Sequence, residues 1–89
     1  MKGAVYFYFG GDYLTNGSFD DLDQLGIKPK DGLRLTFYDL DADEQNRPTY
    51  LCAEGVLHAH ENGVNWLVEV DQSTFRSMLR ADVDDKHCS

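Results

Sequence analysis

The residues around Asn62-Gly63 constrain the fold of this chain more than any other segment, because two apolar patterns flank this pair. An Asn-Gly pair favours the two positive-φ residues of a type I′ turn, which joins neighbouring antiparallel strands. A turn of two residues predicts that Glu61 faces Val64. Paired residues share one face of a hairpin, so the apolar row beyond this pair is predicted to face the core. Counting outward, the predicted pairs are Ala59 with Trp66, Leu57 with Val68, and Gly55 with Val70.

The opposite face of the same hairpin carries His58 and His60, whose spacing points both imidazoles to one side of a strand. Glu69 is diagonal to His58 in the predicted register and could supply an oxygen ligand. These three residues are the candidate metal ligands. The sequence places no further His or Cys beside them, so we expect a solvated strand face, with no bound metal and no other cofactor.

Composition and charge limit the classes of partner. The chain has 89 residues and a formal net charge of −8. This charge repels phosphate backbones and anionic lipid, so we expect neither direct nucleic-acid binding nor membrane binding. An apolar fraction of 42% and an aromatic fraction of 12% are typical of a folded chain. One small domain is predicted over residues 1–80, followed by a polar tail over residues 81–89.

Cysteine usage and the first residues of the chain predict its compartment. Cys52 and Cys88 lack the spacing of a metal or redox motif, and reduced thiols are expected. The apolar run at residues 4–9 is too short for a signal-peptide core or a membrane span. We therefore expect a cytoplasmic protein.

Local signals predict two further strands and two helical segments. Residues 4–9 have strand composition, and residues 33–38 alternate as a half-buried strand does. Ser18 has the chemistry of a helix N-cap, and Gly26 that of a helix end, which predicts a helix of one to two turns. After the hairpin, Asp71 or Ser73 is predicted to cap a second helical segment. The predicted apolar stripes are Phe19, Leu22 and Leu25 in the first helix, and Phe75, Met78 and Leu79 in the second.

These elements predict a mainly β, α+β fold. Four strands form a small, strongly bent antiparallel sheet, with one short helix between strands 1 and 2 and a short C-terminal helical segment. Residues 39–48 are predicted to be a long acidic connection, because Pro48 would interrupt a central strand. Small inward residues such as Gly55 let the sheet curl without overfilling its interior. The element order resembles that of SH3-like domains, so we expect an SH3-like barrel or a comparably bent sheet.

The tyrosines are the best indicators of function in this sequence. Their side chains combine flat apolar area with a polar tip, which suits surfaces that bind proline-rich or extended peptides. Acids near them favour a basic ligand and speed its encounter. An alternative interpretation packs the tyrosines under the helices or in a homodimer interface. The predicted partner-binding residues are Tyr6, Tyr8, Tyr13, Tyr38, Tyr50, Asp39, Asp41 and Asp43.

We therefore expect a non-catalytic protein- or peptide-interaction module with an outward tyrosine surface and an acidic rim, able to self-associate as a homodimer. One alternative is an acidic inhibitor or nucleic-acid mimic that binds a basic protein partner. The other is a small metal-binding enzyme centred on His58, His60 and Glu69. Enzymatic activity is less favoured, because no nucleophile lies in a catalytic motif and so small a domain leaves little wall for a closed pocket.

Overall fold

In a computed structural model, which describes residues 3–61 and 65–81, the chain forms one mixed β-sheet with one α-helix. The predicted Asn62-Gly63 turn, the pairing of Glu61 with Val64, and Cys88 lie outside these residues. No helix within them is long and apolar enough to cross a membrane. The elements in chain order are β1 (Val5–Tyr6), α1 (Asn16–Leu25), β2 (Arg34–Ala42), β3 (Pro48–Ala59), β4 (Trp66–Val70), a 3-10 helix (Gln72–Thr74) and β5 (Arg76–Leu79).

The hairpin of β3 and β4 has the register that the sequence predicts. Leu57 lies opposite Val68 in an antiparallel ladder, and the neighbouring pairs follow the same count. Both side chains are buried in the core. Gly55 is buried as well, and a Cβ built on it would lie 3.1 Å from each of three neighbouring atoms. The predicted register is confirmed; of the predicted inward row Gly55, Leu57 and Val68 are buried, whereas Ala59 near the turn is exposed.

The hairpin of β2 and β3 is longer than predicted. Pairing continues until Ala42 faces Pro48, so the connection is only residues 43–47. The Asn46 N–H donates to the Asp43 carbonyl at 2.9 Å, and Asn46 takes a left-handed φ of 64°. Pro48 is tolerated because it is the first residue of its strand. The prediction of a long acidic connection over residues 39–48 is therefore wrong.

The sheet is mixed, whereas the sequence predicted an antiparallel one. Its strand order is β1-β2-β3-β4, and β1 runs parallel to β2, with Val5 opposite Phe37. The segment that joins these two strands contains α1, and such a crossover returns the chain to the end from which it started. Residues 12–14 pair with the outer edge of β4, where the Leu14 N–H donates to the Trp66 carbonyl at 3.0 Å. The sheet is not closed, so an SH3-like barrel is not confirmed.

Helix α1 begins earlier than predicted. Thr15 is its N-cap, and Ser18 is the residue in the first turn that completes the capping box. Gly26 ends the helix in the left-handed conformation, with a φ of 70°, as the sequence predicts. Of the predicted apolar stripe only Leu22 is buried, because the helix lies at the edge of the sheet, with its main chain close to that of β1. Phe19 and Leu25 are 38% and 40% exposed.

The predicted C-terminal helix is a single 3-10 turn followed by a strand. The Asp71 carboxylate accepts from the Ser73 N–H at 3.1 Å, so the predicted cap is present. Met78 and Leu79 nevertheless lie in β5, which pairs with the first half of β3 on the edge that it shares with β4. A short helix is marginal on its own, and the open edge of β3 offers main-chain hydrogen bonds instead.

The core occupies one face of the sheet, and α1 closes it at the β1 edge. The fully buried aromatic pair Phe7 and Phe37 lies at its centre, with ring centroids 5.6 Å apart. Since the main chain of α1 lies near that of β1 and of no other strand in the described ranges, α1 does not cross the other face. The buried cluster is Val5, Phe7, Leu22, Phe37, Leu57 and Val68.

Candidate functional site

Three of the five predicted tyrosines lie side by side on the face of the sheet that is opposite the core. Strand pairing sets Tyr6 beside Tyr38, and Leu40 beside Tyr50. On the far side of Tyr50, β5 contributes Met78. We call these five residues the tyrosine surface.

The rings of the tyrosine surface contact one another edge to face. The centroids of Tyr6 and Tyr38 are 5.8 Å apart, with an interplanar angle of 75°. The next pair, Tyr38 and Tyr50, has the same separation and an angle of 85°. Such geometry is the favoured one for aromatic pairs and restricts ring motion. The three rings are half-buried, whereas Leu40 beside them is 54% exposed.

Helix α1 fixes one end of this row through two polar side chains. The Ser18 hydroxyl donates to the Tyr6 carbonyl. The Asp21 carboxylate accepts from the Tyr6 N–H at 2.9 Å and from the Tyr38 hydroxyl at 3.1 Å. Burial, followed by the charge of Asp21, raises the pKa of Tyr38 to about 12. These bonds also satisfy the outer edge of β1, which would otherwise be open to another strand.

Arg80 fixes the other end of the row. Its guanidinium carbon lies 5.6 Å from the centroid of the Tyr50 ring, within cation–π range. Its Nε donates to the Thr49 carbonyl at 3.0 Å, and its Nη2 donates to the Asp41 carbonyl at 3.0 Å. Arg80 directly follows β5, and the pairing of this strand with β3 brings its side chain to Tyr50.

The three predicted rim acids occupy different environments. Asp39 accepts from the Phe9 N–H at 3.4 Å, and its charge, after burial, raises the pKa of Tyr6. Asp41 is exposed on β2. Asp43 belongs to the hairpin tip, where hydrogen bonds led by the Arg47 N–H hold the pKa of its carboxyl below its usual value. Asp39 is therefore the predicted acid that lies against the tyrosine surface, together with Asp21, which the sequence did not single out.

Tyr8 and Tyr13 lie away from the row. Tyr8 is 56% exposed, and its ring lies over Gly10, where a Cβ would be only 2.6 Å from it. Tyr13 pairs with β4 on its outer edge and is 40% exposed. Its ring contacts His60 edge to face, with centroids 5.5 Å apart. The structure therefore divides the predicted tyrosines into one row of three and two separate positions.

The candidate metal ligands are only partly brought together. His58 Nε2 lies 3.7 Å from the Glu69 carboxylate, as the register predicts, and its Nδ1 lies 3.9 Å from Asp31. His60 packs against Tyr13 instead. Over residues 3–61 and 65–81, no group of three or more His, Cys, Asp or Glu side chains is placed to hold a metal ion.

Two features of the described chain bear on catalytic chemistry, a buried thiol and a surface depression. Cys52 is fully buried, and burial raises the pKa of its thiol, which opposes thiolate formation. An open depression of about 220 Å³ lies at the tip of the β2–β3 hairpin, below the volume range of most small-molecule sites. It is lined by Asp43, Glu44, Gln45 and Arg47.

Comparisons of this chain with protein-family models, with curated proteins and with solved structures found no match. The candidate function therefore depends on the geometry of the tyrosine surface.

Proposed function

We propose that this protein is a non-catalytic interaction module that binds an extended segment of another protein across the tyrosine surface. The observation that supports this function is a row of three ordered tyrosine rings on a sheet face that α1 does not cross. Their positions are held by Asp21 at one end and Arg80 at the other. Rings that are already ordered lose little entropy when a partner binds.

The shape of this surface suits a peptide better than a small molecule. The rings lie on a sheet and not in a cleft, and a small ligand needs concave walls to bury most of its surface. An extended peptide instead places alternate side chains against a row of aromatic groups. Exposed Leu40 adds apolar area beside the rings. The contact would therefore be made by side chains along a row of several residues.

The charge near β1 favours a basic residue in the ligand. The carboxylates of Asp21 and Asp39 lie against the Tyr6 and Tyr38 end of the surface. Neither forms an ion pair with a described base. Asp41 follows on the same strand but lies at the other end of the surface, where its carbonyl accepts from Arg80. Together with a net charge of −8, these groups favour encounter with a basic partner.

We also propose that the sheet is an open relative of an SH3-like barrel. The N-terminal segment contacts both ends of the sheet, since β1 pairs with β2 while residues 12–14 pair with β4. Such an arrangement needs strong bending, which the small residue at Gly55 permits.

The function is tested by selecting decapeptides from a random displayed library and measuring their dissociation constants. Leu40→Ser removes an exposed side chain from the middle of the tyrosine surface, and we expect it to weaken binding about tenfold. Leu67→Ser is the matched control, because Leu67 is 37% exposed on the same sheet face but lies in β4. Equal losses in the two variants, or no selected peptide, would contradict the proposal.

Self-association is measured separately by light scattering across a dilution series. A dimer that Leu40→Ser weakens would identify a second copy of this chain as the partner. If binding of a basic protein is instead lost on substitution of the exposed acids Asp20 and Asp23 of α1, the acidic-inhibitor function is supported and the tyrosine surface is not the site.

A further inference from the structure

We propose that Arg80 binds a carboxylate of the ligand, so that the tyrosine surface accepts a peptide with an acidic group at its Arg80 end. This inference depends on the proposed function and adds the chemistry and direction of the ligand. The sequence favoured a basic ligand, and this inference adds an acidic group to it.

Arg80 differs from the other arginines of the described chain in its partners. Arg47 pairs with Asp43 at 2.7 Å, Arg76 pairs with Glu54 at 3.0 Å, and Arg34 approaches Asp71 at 3.5 Å; all six residues are in exposed or half-buried positions. Arg80 has no carboxylate partner among residues 3–61 and 65–81. A guanidinium without a carboxylate partner in the described part of the chain is unusual, because the sequence has twice as many acids as bases.

The guanidinium of Arg80 is also held in place before any ligand arrives. Two of its nitrogens donate to main-chain carbonyls of neighbouring strands, and its plane lies near the Tyr50 ring. The third nitrogen, Nη1, has no partner among the described residues. Main-chain carbonyls orient the group without neutralising its charge, so it remains available to a carboxylate.

A carboxylate fits this position better than a phosphate. Phosphate carries up to two negative charges and is usually held by several cations or main-chain N–H groups. Here the candidate site has one guanidinium, that of Arg80, which lacks a carboxylate partner among the described residues, and the protein has a net charge of −8. A singly charged carboxylate is attracted by this cation, and the rest of the molecule repels it less than it would repel a doubly charged phosphate.

The tyrosine surface therefore has the carboxylates of Asp21 and Asp39 at one end, and the Arg80 guanidinium beside the exposed residue Asp41 at the other. From Tyr6 to Arg80 the row advances in three steps of 5.6–5.8 Å. An extended peptide advances about 3.3 Å per residue, so roughly five residues cover the row. We infer a ligand with a basic residue near Asp39 and a carboxylate about five residues away, which fixes the direction of binding.

The test uses synthetic hexapeptides with Lys at one end, either Glu or Gln at the other, and either a free or an amidated C-terminus. Dissociation constants are measured by fluorescence polarisation with the wild-type chain, Arg80→Gln and Arg80→Lys. The control is Arg76→Gln, which removes an arginine already paired with Glu54. We expect replacement of the ligand's carboxylate to weaken wild-type binding about tenfold, and to have no effect on Arg80→Gln. The control should keep the wild-type preference, and Arg80→Lys should retain part of it.

Comparison of Glu with Gln, and of acid with amide, shows whether the carboxylate belongs to a side chain or to the C-terminus. The inference is overturned if neither Glu→Gln nor C-terminal amidation of the peptide weakens wild-type binding, or if Arg80→Gln still prefers the carboxylate. Either result leaves the proposed function unaffected. If the wild-type chain binds no peptide in the library or the hexapeptide set, the proposed function itself fails. Should Arg80→Gln not fold, as judged by circular dichroism, the peptide substitutions against the wild-type chain still decide the question.

Discussion

Asp21 is the residue whose replacement tests most directly how the tyrosine surface is built. Its carboxylate accepts two hydrogen bonds, from the Tyr6 N–H at 2.9 Å and from the Tyr38 hydroxyl at 3.1 Å. A hydrogen bond to a charged group contributes about 1.5–3 kcal/mol when buried, and less at a half-buried site. We therefore expect Asp21→Ala to lower the free energy of unfolding by about 2–3 kcal/mol. Asp21→Asn keeps an acceptor oxygen and should lose about half as much.

The matched control is Asp20→Ala, which makes the same change in the same helix. Asp20 is exposed and makes no hydrogen bond with a described residue, so this substitution should stay within about 0.5 kcal/mol of wild type. The free energies follow from urea denaturation monitored by the fluorescence of Trp66. The titration of the phenols gives an independent measurement, since removal of the Asp21 charge should lower the pKa of Tyr38 from about 12 while burial keeps it above 10.0. If Asp21→Ala costs no more than Asp20→Ala, Asp21 does not hold the β1 edge.

Three further predictions concern packing, pH and turn geometry. Gly55→Ala should lower the free energy of unfolding, measured by urea denaturation, by about 1–3 kcal/mol, because the added Cβ would lie 3.1 Å from three atoms. Gly11→Ala is the control and should be tolerated, because its Cβ would have no neighbour nearer than 3.5 Å. The raised pKa of Tyr38 contributes stability that is fully present below pH 10 and is lost as pH rises towards 12, because the phenol ionises first in the unfolded chain. Thermal melts over this range should show a falling melting temperature, and Tyr38→Phe should make that fall smaller. Asn46, with a φ of 64°, should tolerate Gly but lose about 1 kcal/mol as Ala in the same thermal assay.

The register of the β3–β4 hairpin could be predicted because its information is local. Side chains alternate with a period of two, so one turn signal fixes every later pair, including Leu57 with Val68. The same local logic predicted the end of α1 at Gly26 and the cap at Asp71. It also placed Tyr38 outward, because neighbouring Phe37 faces the core.

The direction of β1 and the fate of the last segment could not be predicted, because both depend on distant partners. Tyr6 is held by Asp21, which lies 15 residues away, and nothing in strand composition indicates this bond. Met78 belongs to an apolar stripe whose spacing suits a helix equally well, and this segment forms a strand because it pairs with the open edge of β3. Arg80 then reaches Tyr50 only because β5 exists. Sequence alone therefore missed the polar group at each end of the tyrosine surface, Asp21 on α1 and Arg80 after β5.

The way in which the sheet edges are covered determines how a partner can bind. A bare edge strand recruits other chains through main-chain hydrogen bonds, largely without regard to their sequence. Here the outer edge of β1 is satisfied by Ser18 and Asp21, and that of β4 is paired with residues 12–14. Strand addition is therefore blocked at both of these edges, whereas the side chains of the tyrosine surface stay accessible. Recognition there must depend on the ligand's side chains, and so a single carboxylate opposite Arg80 can decide which sequences bind and in which direction.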